Sequence, residues 1–541
     1  MKVKLTLLLA AVVAMVTVLS ACGSDNAGGD QTFRMNLTAE PPTLDPALIQ
    51  DQVSSTVMTG LFEGLTRNEK GETVAAMAEK WDISPDGKKY TFHIRQDAKW
   101  SNGDPVTAHD FEYSWKRTLD PNLNPPAPYA YQLYYIKNAQ KYNTPDSGVK
   151  VDEVGVKAVN DTTLEVELEN PTPYFLNLTS FYTYYPVHKS VKDNPKWAAE
   201  ASSFVSNGPF KLESWKHNDS IDLIPNENYY KKDEIKLQKV HFVMIDDPNT
   251  EANMYETGEL DWSGMPTGTI PTEQLSKFLA DKNPELSAPG TASVYYYVIN
   301  NEKKPFNNVK VRKALAMAID RQALVDKVVK GGQTPAYAYV PPGIHGTDKN
   351  FRDEVEGNLF KEDVAEAKKL LAEGLAEEGM TAMPVFEVSF NEGLHKQVAE
   401  AIADMWNKNL GITVKTQTVE WKVFLQNRTS GAYDVARSGW GADYNDAMTF
   451  LDMWLTGGGN NDAKFSNAEF DKLIKEASTT SDQKARVDAM AKAEKILVQD
   501  NMAIIPLYYY TSPHLVKPYV KGVEMDYKGD IDYTRAYMEQ E

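Results

Sequence analysis

Hydrophobic and polar residues alternate at several places along the chain. Tyr90, Phe92 and Ile94 are separated by Thr91, His93 and Arg95. A period of two predicts a strand with one face buried and one in water. The turn-forming run Ser84-Pro85-Asp86-Gly87 stands just before it. Leu164, Val166 and Leu168 interleave with Glu165, Glu167 and Glu169 and predict a second such strand. Elsewhere the spacing is helical, over Val311 to Val329, Lys361 to Glu378 and Ser481 to Gln499. Thr107 and Asp110 form a capping-box pair, with Asp in the usual place of Glu, and open a helix to about Arg117. Strands and helices mix throughout, with no internal repeat and no low-complexity block. The fold class is α/β with mixed sheets. Pro-rich stretches at 121–128 and 335–342 predict ordered loops. One core stops growing at roughly 250–300 residues, so a chain of 541 residues predicts two or three lobes.

The N-terminus changes this picture. Lys2 and Lys4 precede an apolar stretch from Leu5 to Leu19, too short for a membrane span of about 20 residues. Small residues Ser20 and Ala21 follow, then Cys22. The pattern predicts an export signal over 1–21. Leu19-Ser20-Ala21-Cys22 resembles a bacterial lipobox, which implies lipidation of Cys22. Cys22 is the only cysteine, so an exported body held by disulfides is excluded. The polar, Gly-rich stretch after Cys22 predicts, over 22–31, a lipidated residue and flexible tether. The expected location is the extracytoplasmic face of a cell membrane, reached through the lipid.

Composition excludes several functions. The net charge is -19 with no basic stripe, so nucleic acid is not a partner. The eight histidines form no HExxH or other close metal pair, and there is no CxxC, GxSxG or Walker loop. No catalytic constellation, cofactor or metal is expected. Aromatics make up 11%, including 28 Tyr and 10 Trp. They divide between core and binding-cleft readings.

Met77 to Arg117 reads MAEKWDISPDGKKYTFHIRQDAKWSNGDPVTAHDFEYSWKR. With Thr43-Leu44-Asp45-Pro46, Asn207-Gly208-Pro209-Phe210, Lys304-Pro305-Phe306-Asn307 and Ile505 to Tyr510, it resembles the large extracellular solute-binding proteins, family 5. Asp434 to Asn445 (DVARSGWGADYN) resembles the oligopeptide-binding type of an ABC importer. The resemblance implies a periplasmic-binding-protein-like type II clamp of two jaws with an extra inserted domain, three domains in all. Lobe I would comprise 32–65, 191–292 and 511–541. Domain II would span 66–190 and lobe III 293–510. It implies a monomer that binds short peptides as an extended strand and passes them to importer membrane subunits. A dedicated receptor for signalling or murein peptides on the same fold is the alternative. A nickel-chelate or sugar ligand and a peptidase are disfavoured.

The same resemblance assigns site residues. Backbone groups around Gln50, Asp51 and Gln52 and around Gly439, Trp440 and Gly441 would pair with the peptide backbone. Asp443 would hold the peptide amino group; taken alone, it reads as an Asx-turn residue. Arg437 would meet a peptide carboxylate, against an internal salt bridge. His395 would meet the carboxylate of a longer peptide, against a helix-start histidine. Trp421, Trp440, Tyr509 and Tyr129 would line side-chain pockets; apart from the resemblance, the first three read as core. Two positions depart from the pattern. Val329, next to Lys330, stands where relatives carry a lysine, and Gln50 replaces an acid.

Overall fold

The computed structural model describes residues 30–539 except 70, 146, 195, 392 and 393, and without the side chains of Trp421 and Lys422. Cys22 and the predicted export signal lie outside the described residues. The predicted strands form where the alternation placed them. Lys89–Ile94 buries Tyr90, Phe92 and Ile94, and Thr163–Glu167 buries Leu164 and Val166. They pair antiparallel in a four-stranded sheet completed by Ala78–Ile83 and Val156–Asn160. The helix Ala108–Thr118 starts at the Thr107/Asp110 capping box.

Two larger sheets frame the molecule. A seven-stranded sheet runs Leu286–Ser287, His514–Val516, Trp262–Gly264, Thr32–Asn36, Lys239–Val243, Ser220–Pro225 and Phe210–Lys216. A six-stranded sheet runs Thr334–Pro335, Ile504–Thr511, Gly290–Ile299, Val435–Gly441, Phe386–Phe390 and Val414–Thr418. Two short links join these sheets. Ser287 pairs with His514 in the first, and Gly290 with Thr511 in the second. Between them Ser512 N–H donates to the Pro289 carbonyl at 2.9 Å. The two links run side by side, the arrangement of a hinge.

The helical stretch from Val311 to Val329 is broken. Val309–Met317 ends, Arg321–Leu324 begins, and Val325–Val329 continues as a wider π turn. Asp320 accepts from the Ala323 N–H and starts a new helix. The buried Arg321 guanidinium takes the Ala316 and Ile319 carbonyls at 3.0 and 3.2 Å, which closes the first helix. The Gln483–Lys495 helix also ends in a π turn, Ile496–Asp500. Ala336 and Ala338 to Pro341 of the Pro-rich segment are buried, and Glu494 accepts from the Tyr339 and Val340 N–H groups there.

Candidate functional site

The strand Val435–Gly441 is paired unequally on its two sides. Toward Gly290–Ile299 it is bonded along its whole length, from Ile299↔Val435 to Ser293↔Gly441. Toward Phe386–Phe390 it is paired only at Val388↔Val435 and Ser389↔Ala436. Among the described residues no strand covers that edge from Arg437 to Gly441. Such an edge is a template for another extended backbone.

Side chains alternate across this strand. Arg437, Gly439 and Gly441 share one face, so two positions beyond Arg437 present no side chain. A Cβ at Gly439 would lie 3.2 Å from the Tyr510 hydroxyl, and one at Gly441 3.1 Å from Ser293 Oγ. Trp440 points to the opposite face, with its Nε1 buried and lacking a hydrogen-bond partner.

Arg437 anchors one end. Its Nε donates to Asn391 Oδ1 at 2.8 Å, and its guanidinium lies 6.0 Å from the Tyr295 ring centre. His395, the first residue of the helix His395–Leu410, reaches the Tyr295 hydroxyl at 3.3 Å. Burial first, then the Arg437 charge, push the imidazole down to about 4. His395 is therefore neutral near pH 7, and Arg437 supplies the positive charge. Tyr508 and Tyr510 stand with Tyr295 on this face. Tyr509 points the other way, into the core, and its hydroxyl donates to the Ala338 carbonyl at 2.9 Å. The alternation of a strand separates the three consecutive tyrosines.

Asp443 stands at the other end and lines a cavity with Gln52, Phe181, Tyr182 and Lys528. Burial pushes its carboxyl up to about 6, while Lys528 and Thr449 pull it down. An Asx turn at Asp443 would need the Asn445 N–H, but that group donates to Asn177 Oδ1 at 3.1 Å. The Asx turn falls instead at Asp446, whose Oδ1 accepts from Met448 N–H at 2.9 Å. Asp446 also binds the buried Arg486 through both oxygens, at 2.7 and 3.0 Å. Tyr129 packs against Phe181 and Tyr182, with ring centres at 5.4 and 5.8 Å. Burial and then the Asp443 charge raise its phenol.

The first loop approaches from the other side of the cavity. Asp51 caps the helix Gln52–Leu61 by accepting from Ser54 N–H at 2.8 Å, and its Oδ2 is buried without a partner. Gln52 Nε2 donates to Asp530 Oδ1 at 2.7 Å, and Gln50 is exposed. Trp421 opens the helix Trp421–Ser430, but its side chain lies outside the described residues. Val329 is buried, and Lys330 ends its helical turn exposed at a φ of 56°. Sequence reasoning missed Asn391, Tyr295, Tyr508 and Tyr510 around Arg437, and Lys528 with its flanking acids beside Asp443. The tyrosine pattern was visible, but which of its faces met Arg437 was not.

The chain resembles known proteins over nearly its whole length. The model of the bacterial extracellular solute-binding proteins, family 5, matches residues 72–462. The oligopeptide-binding protein OppA of Bacillus subtilis is 45% identical, over 96% of this chain and 97% of that protein. The periplasmic murein tripeptide-binding protein MppA, in its unliganded open form, superposes with a TM-score of 0.80 at 34% identity, covering 94% of this chain and 98% of that one. Haemophilus influenzae OppA in complex with RPPGFSPFR gives a TM-score of 0.76 at 36% identity, over 95% and 99% of the two chains. These likenesses carry the type II clamp fold, and they are to binding proteins, not enzymes. The chain belongs to the bacterial extracellular solute-binding proteins of family 5.

Proposed function

We propose that this protein captures short peptides as an added strand between two jaws and delivers them to an ABC-type importer. The observation that carries the reading is the strand edge from Ser438 to Gly441, which no strand among the described residues covers, with the Arg437 guanidinium at one end and the Asp443 carboxylate beyond the other. Main-chain pairing along an edge binds any extended peptide regardless of its side chains. The two charges match the termini, which are the costly groups to desolvate. Arg437 and Asp443 are six positions apart, roughly 20 Å at about 3.3 Å per strand residue. That separation suits a peptide of about four to six residues.

The jaws of this reading are 32–65 with 191–292 and 511–541 on one side, carrying 66–190, and 293–510 on the other. The three separate sheets and the paired links at 288–289 and 512–513 support this division. The protein works on the extracytoplasmic side, held as a monomer by lipid on Cys22. Among the described residues no helix is long and apolar enough to cross a membrane. The likeness to MppA supports a second reading, a receptor dedicated to murein peptides. Mass spectrometry of ligands released by denaturing the purified protein tests both. A mixture of linear peptides of about four to six residues supports the first, one cell-wall peptide the second. Absence of peptide, together with no binding of a synthetic tetrapeptide library, refutes both.

A further inference from the structure

The Asp443 cavity contains a cation of its own. The strands Glu524–Met525 and Ile531–Asp532 pair antiparallel, and the turn between them carries Asp526, Lys528 and Asp530. Asp526 holds the turn by accepting from the Lys528 and Asp530 N–H groups at 2.8 and 3.0 Å. The turn is clamped from outside as well. Gly529 has a φ of 94°, and a Cβ there would lie 3.0 Å from Thr291 Cγ2. The Tyr527 carbonyl accepts from Ala292 N–H at 2.6 Å. The backbone of Lys528 is therefore fixed next to the hinge.

The Lys528 side chain enters the cavity. Its Nζ lies 2.5 Å from Asp530, 3.9 Å from Asp526 and 5.7 Å from the Phe181 ring centre. It is 25% exposed, so a cavity wall is its surrounding and it is not sealed in a core. Burial works against its charge, but Asp530 and Asp526 outweigh it and keep the ammonium protonated. Its field reaches Asp443 across the cavity, and also Tyr129 and Tyr182.

We propose that Lys528 is a resident counter-cation of Asp443 that weakens the binding of free-amine ligands and so sets their release. The inference rests on the reading that Asp443 receives a ligand ammonium. In the empty cavity Lys528 offsets the charge of Asp443. When an ammonium enters, the two cations share one confined space, and like charges repel strongly where water is scarce. Asp530 and Asp526 limit this opposition by drawing Lys528 toward the turn. A delivery protein gains from this arrangement because a ligand held too tightly is not handed over.

Calorimetry with pentaalanine and N-acetyl-pentaalanine, on protein stripped of ligand, tests the proposal. The parent should prefer the free amine. Lys528→Met should bind pentaalanine roughly three- to tenfold tighter, the size of a screened like-charge repulsion in a partly hydrated cavity. Its affinity for the acetylated peptide should not move. Lys528→Arg should behave as the parent. Asp530→Asn removes a negative charge and turns Lys528 toward the ligand, so it should bind pentaalanine about threefold more weakly on the same reasoning. A Lys528→Met protein that binds pentaalanine no tighter than the parent, while the parent still prefers the free amine, overturns the role of Lys528 alone. A parent indifferent to acetylation overturns the Asp443 reading and this proposal with it. Should Lys528→Met fail to fold, Asp530→Asn decides, and unchanged binding there refutes the proposal.

Discussion

At the scale of single residues, the site turns on charge held in partial burial. Asp443→Asn keeps the shape and removes the charge. It should weaken free-amine peptides by about 2–4 kcal/mol, within the range for losing one partner of a buried charge pair. Calorimetry with free and N-acetylated peptides measures this, and equal affinity for the two in the parent would remove Asp443 from the role. The pH dependence has a definite sign. In the proposed role the carboxylate is the binding form, and burial has pushed its pKa up to about 6. A peptide α-amino group, with a pKa of about 7.7–8.0 in its free state, stays protonated across this range. Affinity should be full near pH 7 and fall as pH drops through about 6. Asp452 lies behind, raised to about 7 by burial and by the charges of Asp443 and Asp446, so part of the proton uptake belongs to it. Asp443→Asn should flatten the profile between pH 5 and 7. His395 is already neutral there, because burial and Arg437 hold it near about 4. It donates or accepts a hydrogen bond and adds no slope of its own.

At the scale of elements, the proposed recognition rests on one strand edge and one face. Among the described residues, Phe386–Phe390 pairs with Val435–Gly441 only as far as Ser389↔Ala436, and no strand covers Ser438 to Gly441. Methylating peptide amide nitrogens that would pair with this edge removes donors without changing charge. Each lost pair should cost about 0.5–1.5 kcal/mol, the net worth of an ordinary hydrogen bond. Calorimetry on a series singly N-methylated at successive positions should show an alternating pattern, since only every second amide of an added strand faces its partner. A flat series would count against strand addition. Gly441→Val should reduce affinity for all peptides alike. Its Cβ would crowd Ser293 Oγ, and its branches would occupy the clear face next to Arg437.

At the scale of the whole molecule, the proposed reading makes binding and closure one equilibrium. Gln52 and the Lys528 turn belong to one proposed jaw, and Arg437, His395 and Asp443 to the other. A ligand that touches both sets favours the state in which both are within reach. Contacts between the proposed jaws already exist on one side: Tyr174 stacks on Tyr444 at 4.4 Å, and Asn445 bonds Asn177. Closure should pivot about these contacts and the links at 288–289 and 512–513. Small-angle scattering should give a smaller radius of gyration with peptide than without, after bound ligand is stripped by partial unfolding. An unchanged radius despite binding would refute the hinge. Anchoring is tested by Cys22→Ser, which should release the protein into the medium or leave its signal uncut. Normal processing and membrane retention would rule out the lipid anchor. The aromatic surplus serves two ends. Trp100, Trp115, Trp406 and Trp454 are fully buried in the cores, while Tyr182 and Phe181 line the Asp443 cavity.

The sequence by itself determined the class of the molecule and most of its local structure. Period-two alternation, the Thr107/Asp110 cap and the Ser84 to Gly87 turn act over a few residues, so a linear reading captures them. It brought the Arg437 to Asp443 run forward only through its resemblance to the oligopeptide-binding type, since Asp443 taken alone reads as an Asx-turn residue. Tertiary structure decided what depends on distant partners. The helix after Met317 stops because Arg321 finds the carbonyls that close it and lies buried against Ala336 and Pro506. Tyr508 and Tyr510 join the Arg437 face, and Tyr509 does not, because of how their strand packs in the sheet. Lys528 meets the Asp443 cavity only because the C-terminal hairpin folds back against the hinge and the first loop. No local pattern encodes that approach, since its contacts are long-range and specified only by the packed fold.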